Sequence, residues 1–434
     1  MDTYGVSASF IFSEFINDGS FLSFGKIRAG FAQAPSFPDV YRLQSTYDIQ
    51  NPYGSNVALS VPDILNNPGL IGGVREEIEI GTELSFLNNR LGLDFTYFDR
   101  TDKELPTELS LTGATGYEST YGNGSIIDTK GWEVALTATP FRNENFSWDM
   151  NFNISGYNKK VVKINDLVTY DEVETGRTAS LAHTAGDDWG NIYGYDVVRN
   201  DDGVPVINSN GLRVYTNNYV KVANVQPDFN GGFINTFRYK NFDLGFSVDF
   251  QGGGNFFSVT RSLLAYSGLG DFTVGDNELG NPKRDPVLDS SGNEVNTVLA
   301  QNVGPNSGGV LVEGVSEETG EPISYYTSAY SYYKSMNRKV GEWIYDASYV
   351  KLRQLKIGYH IPRSILGNLP VDDVSVSLYA NNLWLIYSSI DGIDPSEIEA
   401  YSNSSSNDPD DIRWTEAAQD PNQRTFGLNL KFSF

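Results

Sequence analysis

The last eleven residues, RTFGLNLKFSF (424–434), decide the fold. Every even position from Phe426 to Phe434 is apolar, and the odd positions between them carry Gly, Asn, Lys or Ser. Because successive side chains of a strand point to opposite faces, this stretch predicts a strand with one apolar and one polar face. Lipid would cover the apolar face without any further polypeptide, so a membrane barrel strand is the interpretation that we favour.

The same alternation recurs along the chain and predicts about eleven strands of roughly ten residues, long enough to cross a bilayer at a tilt. In the ninth predicted strand the apolar parity changes near Arg353 and Gln354, which predicts a β-bulge. The predicted strands are 4–12, 25–33, 78–86, 91–98, 131–139, 146–155, 229–239, 242–251, 347–361, 374–380 and 424–434.

The connections between these strands alternate between short and long. An outer-membrane barrel has this asymmetry, with tight periplasmic turns and long extracellular loops, so we predict an all-β transmembrane antiparallel barrel. The short connections are 17–23, 87–90, 141–145, 240–241 and 362–372, and the long ones lie at about 34–75, 102–127, 160–228, 252–343 and 388–421.

The face opposite the apolar one would line a lumen, and it is rich in charged residues. An open aqueous pore and a lumen filled by a polar plug both tolerate such a face, so the strand pattern leaves these alternatives open. By parity the lumen set includes Lys26, Arg28, Glu79, Glu83, Asp94, Glu133, Asp149, Asp243, Asp249 and Lys431.

Composition excludes several other classes of protein. The 434 residues contain no Cys, so neither a disulfide framework nor thiolate chemistry is expected. The net charge of −24 argues against a nucleic-acid partner, since phosphates require Lys and Arg. No apolar run approaches the roughly 18 residues of a membrane helix, and the N-terminus lacks the basic and apolar regions of a signal peptide.

The sequence predicts no enzyme and no catalytic residue. Adjacent carboxylates such as Asp187 and Asp188 are typical of solvated loops, whereas acid–base catalysis needs carboxyl groups that face each other across a substrate. The two histidines, His183 and His360, lie far apart without the spacing of a zinc motif, and no nucleophile elbow is present.

Two loops, 201–211 and 407–411, are rich in the oxygen ligands that calcium prefers. Neither has the spacing of an EF-hand, and a solvated acidic loop is the alternative. No other cofactor is expected. The candidate calcium ligands are Asp201, Asp202, Asp408 and Asp410.

Aromatic side chains in the predicted outer loops are candidates for contact with a substrate or a covering protein, because aromatic faces stack on sugar rings and anchor interfaces. A belt at the membrane surface and packing within the loops are the alternatives. For Trp343 and Trp384, both at strand ends, we favour the belt. The candidate contact residues are Tyr325, Tyr326, Tyr330, Tyr332, Tyr333 and Trp414.

Several stretches resemble the C-terminal half of the SusC/RagA-like family of TonB-dependent outer-membrane transporters. The resemblance implies a plugged barrel of about 22 strands. Residues 1–434 would then form the second half of that barrel, without the plug domain, signal peptide and N-terminal strands. It also implies that Phe434 is presented to the barrel-assembly machinery. The matching stretches are 146–164, 189–207, 223–254, 347–362, 377–396 and 424–434.

The resemblance also implies a function. It implies part of a nutrient importer in the outer membrane of a Gram-negative, Bacteroidetes-like bacterium, with glycan oligosaccharides as substrates and peptides as the alternative. The implied partners are membrane lipid, a SusD-like surface lipoprotein, and TonB with its inner-membrane motor, reached through the absent N-terminal part. A passive pore or a surface glycan-binding protein without active transport is the competing hypothesis.

Overall fold

The structure is a computed structural model that describes residues 3–16, 21–38, 40–166, 168–175, 178–367, 370–398, 414–418, 420 and 422–433. Eleven long strands form one sheet, called the wall below. They are β1 (Tyr4–Ile11), β2 (Leu22–Ser36), β3 (Gly73–Phe86), β4 (Leu91–Ser110), β5 (Ser119–Arg142), β6 (Phe146–Lys163), β7 (Pro227–Tyr239), β8 (Phe242–Gly253), β9 (Tyr349–His360), β10 (Asp373–Ser388) and β11 (Thr425–Ser433).

The wall strands follow one another in sequence order, and each neighbouring pair is antiparallel. Strands in this order place alternate connections at opposite ends, so the connections predicted to be long lie at one end of the wall and those predicted to be short lie at the other. The predicted all-β, antiparallel barrel wall and its division of connections are confirmed. Strands β1 and β11 are the edges of the sheet.

The wall has one apolar face. Across β10 and β11 the aligned pairs Leu378 with Leu428, Val376 with Leu430 and Val374 with Phe432 share that face. The large apolar side chains of β11 are exposed because none of the described residues covers them, as expected of a surface that lipid covers.

The other face carries paired charges. Two of these pairs come from the predicted lumen set: Arg28 binds both carboxylate oxygens of Asp94, at 2.9 and 2.7 Å, and Lys26 lies 2.5 Å from Glu83.

The predicted bulge lies at Arg353. Strand β8 pairs Ser247 with Gln354 and Val248 with Leu352, so Arg353 is the extra residue. Beyond the bulge, Leu355 and Ile357 again align with apolar residues of β8, which keeps the apolar side chains of β9 on one face.

Several strands are longer than the alternation predicts, among them β4, β5 and β6. Strands β4, β5 and β6 have 20, 24 and 18 residues, and β4 and β5 remain paired as far as Ser110 with Ser119. The long loop predicted at 102–127 is therefore wrong, and the connection is only 111–118. Backbone hydrogen bonds continue beyond the lipid, where no alternation of side chains is required.

The long connections fold into a layer above the wall. Helix α1 (Val259–Ser267) begins after Ser258, whose hydroxyl accepts a hydrogen bond from the Arg261 N–H, and ends at Gly268 with φ +69°. The short strands of the loop layer are Asp48–Tyr53, Asn56–Ser60, Ile64–Leu65, Tyr170–Thr175, Ser180–Thr184, Asn191–Gly194, Val206–Ile207, Val220–Asn224, Asn255–Ser258, Val287–Leu288, Glu294–Val295, Thr297–Leu299, Val310–Ser316, Pro322–Thr327, Ile344–Asp346 and Thr415–Glu416.

A second helix, α2 (Ala329–Ser335), belongs to this layer, and the short α3 (Arg363–Leu366) lies at the opposite end of the wall. The layer has its own apolar core, in which Leu181, Ile192, Phe257, Val340, Trp343 and Trp414 pack together. Among the described residues, no helix is both long and apolar enough to cross a membrane. The 3₁₀ helices are Phe12–Phe15, Gly113–Thr115, Asp271–Thr273, Ala300–Asn302, Val340–Trp343 and Pro395–Glu397.

Candidate binding site in the lumen

A cavity of about 560 Å³ lies on the polar face of the wall, beneath the layer of loops. Strands β4, β5 and β6 form one side, strands β8 and β9 form the other, and residues of the loops line the rest. Binding sites for small molecules have volumes of this order and combine apolar surface with a few placed polar groups. This cavity, called the lumen cavity below, is the strongest candidate for a binding site.

Two rows of side chains cross β4, β5 and β6 at the lumen cavity. In one row Arg100 pairs with Thr129, and Thr129 pairs with Lys159. Side chains opposite each other on one face of a sheet lie about 5 Å apart, so these three form a continuous polar row.

The neighbouring row is aromatic. Phe98 pairs with Gly131, and Gly131 pairs with Tyr157. A β-carbon on Gly131 would lie 2.4 Å from the Phe98 ring and 2.9 Å from the Gly156 carbonyl oxygen. Gly131 therefore allows the Phe98 ring to lie across the middle strand, next to the polar row.

Lys159 is held against Trp189 by a backbone hydrogen bond, from the Trp189 N–H to the Lys159 carbonyl at 2.9 Å, and by the side chain of Gln226. The Lys159 ammonium lies 3.9 Å from the centre of the Trp189 ring, a close cation–π contact. The Gln226 side chain accepts from the Lys159 N–H at 2.7 Å and donates to the carbonyls of Lys159 and Trp189 at 3.0 and 2.9 Å. These bonds attach the loops at 189 and 226 to the edge of β6 and keep both side chains on the lumen cavity.

The far side of the lumen cavity is built by buried ion pairs. Lys351, which is 1% exposed, donates to Asp394 at 2.7 Å, to Ser396 at 3.1 Å and to Glu397 at 3.0 Å. Arg353 joins Glu397 to Asp249 on the neighbouring strand. These contacts dock the segment 390–398 onto β9, so that Pro395, Ser396 and Ile398 face the cavity.

The docked carboxylates are stabilised in their charged form. Burial opposes ionisation of Asp394, but hydrogen bonds from Lys351, Ser396 and Asn422 outweigh it and lower the pKa of this carboxyl. Burial likewise opposes ionisation of Glu397, and its bonds to Lys351 and Arg353 lower its pKa.

The six aromatic residues predicted to contact a substrate or a partner do not line the lumen cavity. Trp414 is fully buried in the core of the loop layer, Tyr326 is buried, and the Tyr333 hydroxyl donates to the Phe272 carbonyl at 2.8 Å. Tyr325 and Tyr332 are half-buried, whereas Tyr330 is 71% exposed. Their contact with a substrate or a covering protein stays a prediction, and Tyr330 is the one with an accessible ring.

The two tryptophans predicted to form a membrane belt differ in their exposure. Trp384 is 58% exposed at the outer end of β10, as a belt residue requires. The prediction for Trp343 is wrong, because its ring is buried among the loops and its indole N–H donates to the Met336 carbonyl at 3.0 Å. The chain folds back over the end of β9 at this point, which alternation along the strand does not reveal.

The predicted calcium ligands Asp201 and Asp202 lie in an exposed turn in which the Asn200 side chain accepts from the N–H groups of Asp202 and Val204. Over the described part of the chain, no cluster of three or more His, Asp and Glu residues is arranged to hold a metal. Asp408, Asp410 and Phe434 lie outside the described residues, and calcium binding stays a prediction.

The two histidines have separate environments. His360 lies between Asp243 at 2.7 Å and Asp373 at 3.2 Å, at the short-turn end of the wall. His183 stacks on Trp189, with ring centres 5.5 Å apart.

Sequence reasoning missed Arg100, Lys159 and Trp189 as cavity residues. Arg100 and Lys159 lie just beyond the ends of the predicted strands 91–98 and 146–155, outside both these strands and the long connections predicted at about 102–127 and 160–228. Continuing the parity of Asp94 through Thr96 and Phe98 would have placed Arg100 on the lumen face. No local signal could have brought Trp189 to Lys159.

No protein-family model matches the chain. Among curated proteins, TonB-dependent receptor P3 of Formosa agariphila is 24% identical over 449 residues, which cover 96% of this chain and 40% of that receptor. TonB-dependent receptor SusC of Bacteroides thetaiotaomicron is 27% identical over 184 residues, which cover 39% of this chain and 18% of SusC. Among solved structures, the chain is similar to the RagAB peptide transporter, with a TM-score of 0.69 and 16% sequence identity. The match covers 100% of this chain and 43% of the transporter chain.

These similarities confirm the resemblance to SusC/RagA-like TonB-dependent receptors and the outer-membrane localisation predicted with it. The similar proteins are receptors and transporters, not enzymes. The chain spans between 35% and 40% of the length of the first three curated relatives.

Proposed function

We propose that this chain forms part of the wall and the outer loops of a TonB-dependent importer that carries nutrients across the outer membrane. The wall would separate lipid from a polar lumen, and the loop layer would form the outer entrance. In such a protein the bound nutrient is released by displacement of a plug, and no covalent chemistry is involved.

The lumen cavity is the observation that carries this proposal. It lies on the polar face of the wall, below the folded loops. Gln226 and the ion pairs of Lys351 preorganise its two sides. A site formed by packed strands and docked loops supports selective binding better than an open aqueous passage does.

Oligosaccharides are the proposed nutrients, and peptides are the alternative. The aromatic rings of Phe98, Tyr157 and Tyr349 offer faces for sugar rings. The amide side chains of Gln251 and Asn255 both donate and accept hydrogen bonds, as sugar hydroxyls require. The peptide alternative rests on the shared fold with the RagAB peptide transporter.

Two partners complete the proposal. A SusD-like surface lipoprotein would cover the loop layer, and TonB would supply energy from the inner membrane. The exposed aromatic residues of the first long connection, Tyr41, Tyr47 and Tyr53, offer apolar surface for such a cover.

The proposal is tested by uptake of labelled oligosaccharides into cells that express the full polypeptide carrying this sequence. Uptake should require this polypeptide and should stop when TonB is deleted or the proton gradient is collapsed. A passive pore would continue to admit the sugar under both conditions. The mass of the polypeptide in purified outer membranes supplies a second test, because this chain spans 40% or less of its curated relatives and a band at more than twice 48.0 kDa is expected for the whole importer.

A further inference from the structure

We infer that the lumen cavity selects an uncharged, hydroxyl-rich sugar, and that Thr129, Gln251 and Asn255 recognise it by accepting hydrogen bonds from its hydroxyl groups. This inference rests on the proposed function and names the substrate class of the same site. It is carried by the partners that the charged residues of the cavity already have, and by the acceptor atoms that are left without one.

The charged residues at the lumen cavity are already partnered. Of the described residues that line it, only Arg100 and Lys159 are charged. Arg100 Nε lies 3.4 Å from the carboxylate of the buried Asp102, and the Lys159 ammonium lies against the Trp189 ring. The ion pairs on the far side join Lys351 to Asp394 and Glu397, and Arg353 to Asp249 and Glu397. A charged ligand would lose its water here without meeting an unpaired opposite charge, so burial in the cavity favours an uncharged one.

A buried hydroxyl at the lumen cavity lacks a hydrogen-bond partner. It belongs to Thr129, a lining residue that is 3% exposed, and none of the described residues donates to it or accepts from it. Buried polar atoms nearly always have a partner, so this exception indicates a group that a ligand completes. A hydroxyl oxygen can accept two hydrogen bonds, which suits it to receive one from a ligand.

Two amide oxygens at the lumen cavity are acceptors without a donor. The Gln251 side-chain nitrogen donates to the carbonyls of Gly253 and Ala347 at 3.3 and 3.4 Å, and that of Asn255 donates to the Asn224 carbonyl at 3.1 Å. Because a carbonyl only accepts, these contacts fix which end of each amide is the nitrogen. The two amide oxygens are the ends left over for the cavity, and no described residue donates to either.

The three acceptors come from different sides of the lumen cavity. Thr129 lies on β5, Gln251 lies on β8, and Asn255 begins the strand Asn255–Ser258 of the loop layer. A ligand held between them has to bring donors to each side. The hydroxyl groups around a sugar do so, whereas an ionised carboxylate or sulfate has acceptor oxygens only.

The aromatic row favours a sugar over a peptide as the carrier of these donors. Phe98 and Tyr157 are aligned with Gly131 on β5, two residues along that strand from Thr129. A sugar ring stacked on them would direct its hydroxyl groups to the neighbouring polar row. A peptide backbone brings one carbonyl for every N–H, and three acceptors would leave those carbonyls without donors.

The test is isothermal titration calorimetry of the full polypeptide carrying this sequence, purified in detergent. The neutral probes are maltotriose, cellotriose and mannotriose, and the comparison probes are trigalacturonate and a trialanine that is N-acetylated and C-amidated. We expect at least one neutral trisaccharide to bind, and trigalacturonate and the peptide to bind less tightly than it does.

Fluorinated analogues of the tightest-binding neutral trisaccharide test the hydrogen bonds. In each analogue one hydroxyl group is replaced by fluorine, which is small and cannot donate. At least one analogue should bind about fivefold or more weakly, because an acceptor of the cavity is then left unpaired.

Variants locate the acceptors. Thr129→Val keeps the shape of the side chain and should weaken binding of the neutral trisaccharide about three- to tenfold, whereas Thr129→Ser should retain it. One fluorinated analogue should lose no further affinity in Thr129→Val, and a different one should lose none in Gln251→Met, because each pair removes the same hydrogen bond. Thr137→Val is the matched control, since Thr137 is exposed on the same strand and does not line the cavity. Heat-modifiable migration on gels verifies that each variant is folded.

The outcomes are separable. Equal affinity for the trisaccharide and all its fluorinated analogues, unaffected by Thr129→Val and Gln251→Met, would overturn the inference and leave the oligosaccharide importer standing. Tighter binding of trigalacturonate than of every neutral sugar would overturn the uncharged class and also leave the importer standing. Failure of every folded preparation to bind any oligosaccharide, with or without binding of the peptide, would remove the proposed function together with the inference.

Discussion

The substitution Lys351→Met should detach the segment 390–398 from the wall. Lys351 is 1% exposed and its ammonium holds Asp394, Ser396 and Glu397. Methionine keeps the length and apolar stem of lysine but removes the charge, and it leaves two carboxylates facing an apolar group. Because the substitution leaves no cavity in the wall, the expected destabilisation is confined to the docked segment 390–398.

The magnitude follows from the burial of the three charges. Removing one partner of a buried ion pair costs about 3–5 kcal/mol. We expect the lower end, about 3 kcal/mol, because Glu397 keeps Arg353 as a partner and its side chain is 37% exposed. Each 1.4 kcal/mol changes an equilibrium constant about tenfold, so the equilibrium constant for opening of this segment should rise roughly a hundredfold.

Hydrogen exchange measured by mass spectrometry tests this expectation. Amides of 390–398 should exchange roughly a hundredfold faster in Lys351→Met than in the parent protein, while those of β4 and β5 should not change. Lys356→Met is the matched control, since Lys356 is exposed on the same strand. Exchange in 390–398 within about threefold of the parent would refute the idea that the Lys351 ion pairs dock this segment.

Three further predictions concern stability and pH. Trp414→Ala should destabilise the loop layer by about 3–5 kcal/mol, because the ring is fully buried. Tyr330→Ala, at an exposed ring, should change stability by less than about 0.5 kcal/mol. Thermal unfolding of the two variants checks this difference. Gly131→Ala should displace the Phe98 ring and cost about 1–3 kcal/mol, and it should weaken sugar binding in calorimetry. Because the pKa of Asp394 is lowered when its segment is docked, the charged carboxylate stabilises docking fully above the ordinary carboxyl pKa of about 4, and this stability should be lost as the pH falls through the lowered pKa. Hydrogen exchange of 390–398, corrected for its intrinsic pH dependence, measures the loss. Docking that strengthens on acidification would contradict the prediction.

The sequence by itself determined the wall. Lipid on one side and a polar lumen on the other impose a period of two, and that period is local, so it can be read from Phe426 to Phe432 without knowing any neighbour. The number and order of the strands and the bulge at Arg353 followed from the same signal. Where the lipid ends the period ends too, and there the predicted strands 91–98, 131–139 and 146–155 are shorter than β4, β5 and β6, so that Arg100 and Lys159 lie outside them.

Only the tertiary structure decided the lumen cavity. Its polar row depends on the register of three strands, which places Arg100, Thr129 and Lys159 side by side. Nothing in the sequence between these residues indicates that they pair. Trp189 reaches Lys159 through a backbone hydrogen bond and Gln226 reaches it through its side-chain amide, both from a folded loop. Lys351 meets Asp394, which lies 43 residues further along the chain. The same is true of Trp343 and Trp414, which look like surface aromatics in the sequence and are core residues of the loop layer. Alternation reports which face of a strand a side chain occupies, whereas a binding site is formed by what distant segments place opposite that face.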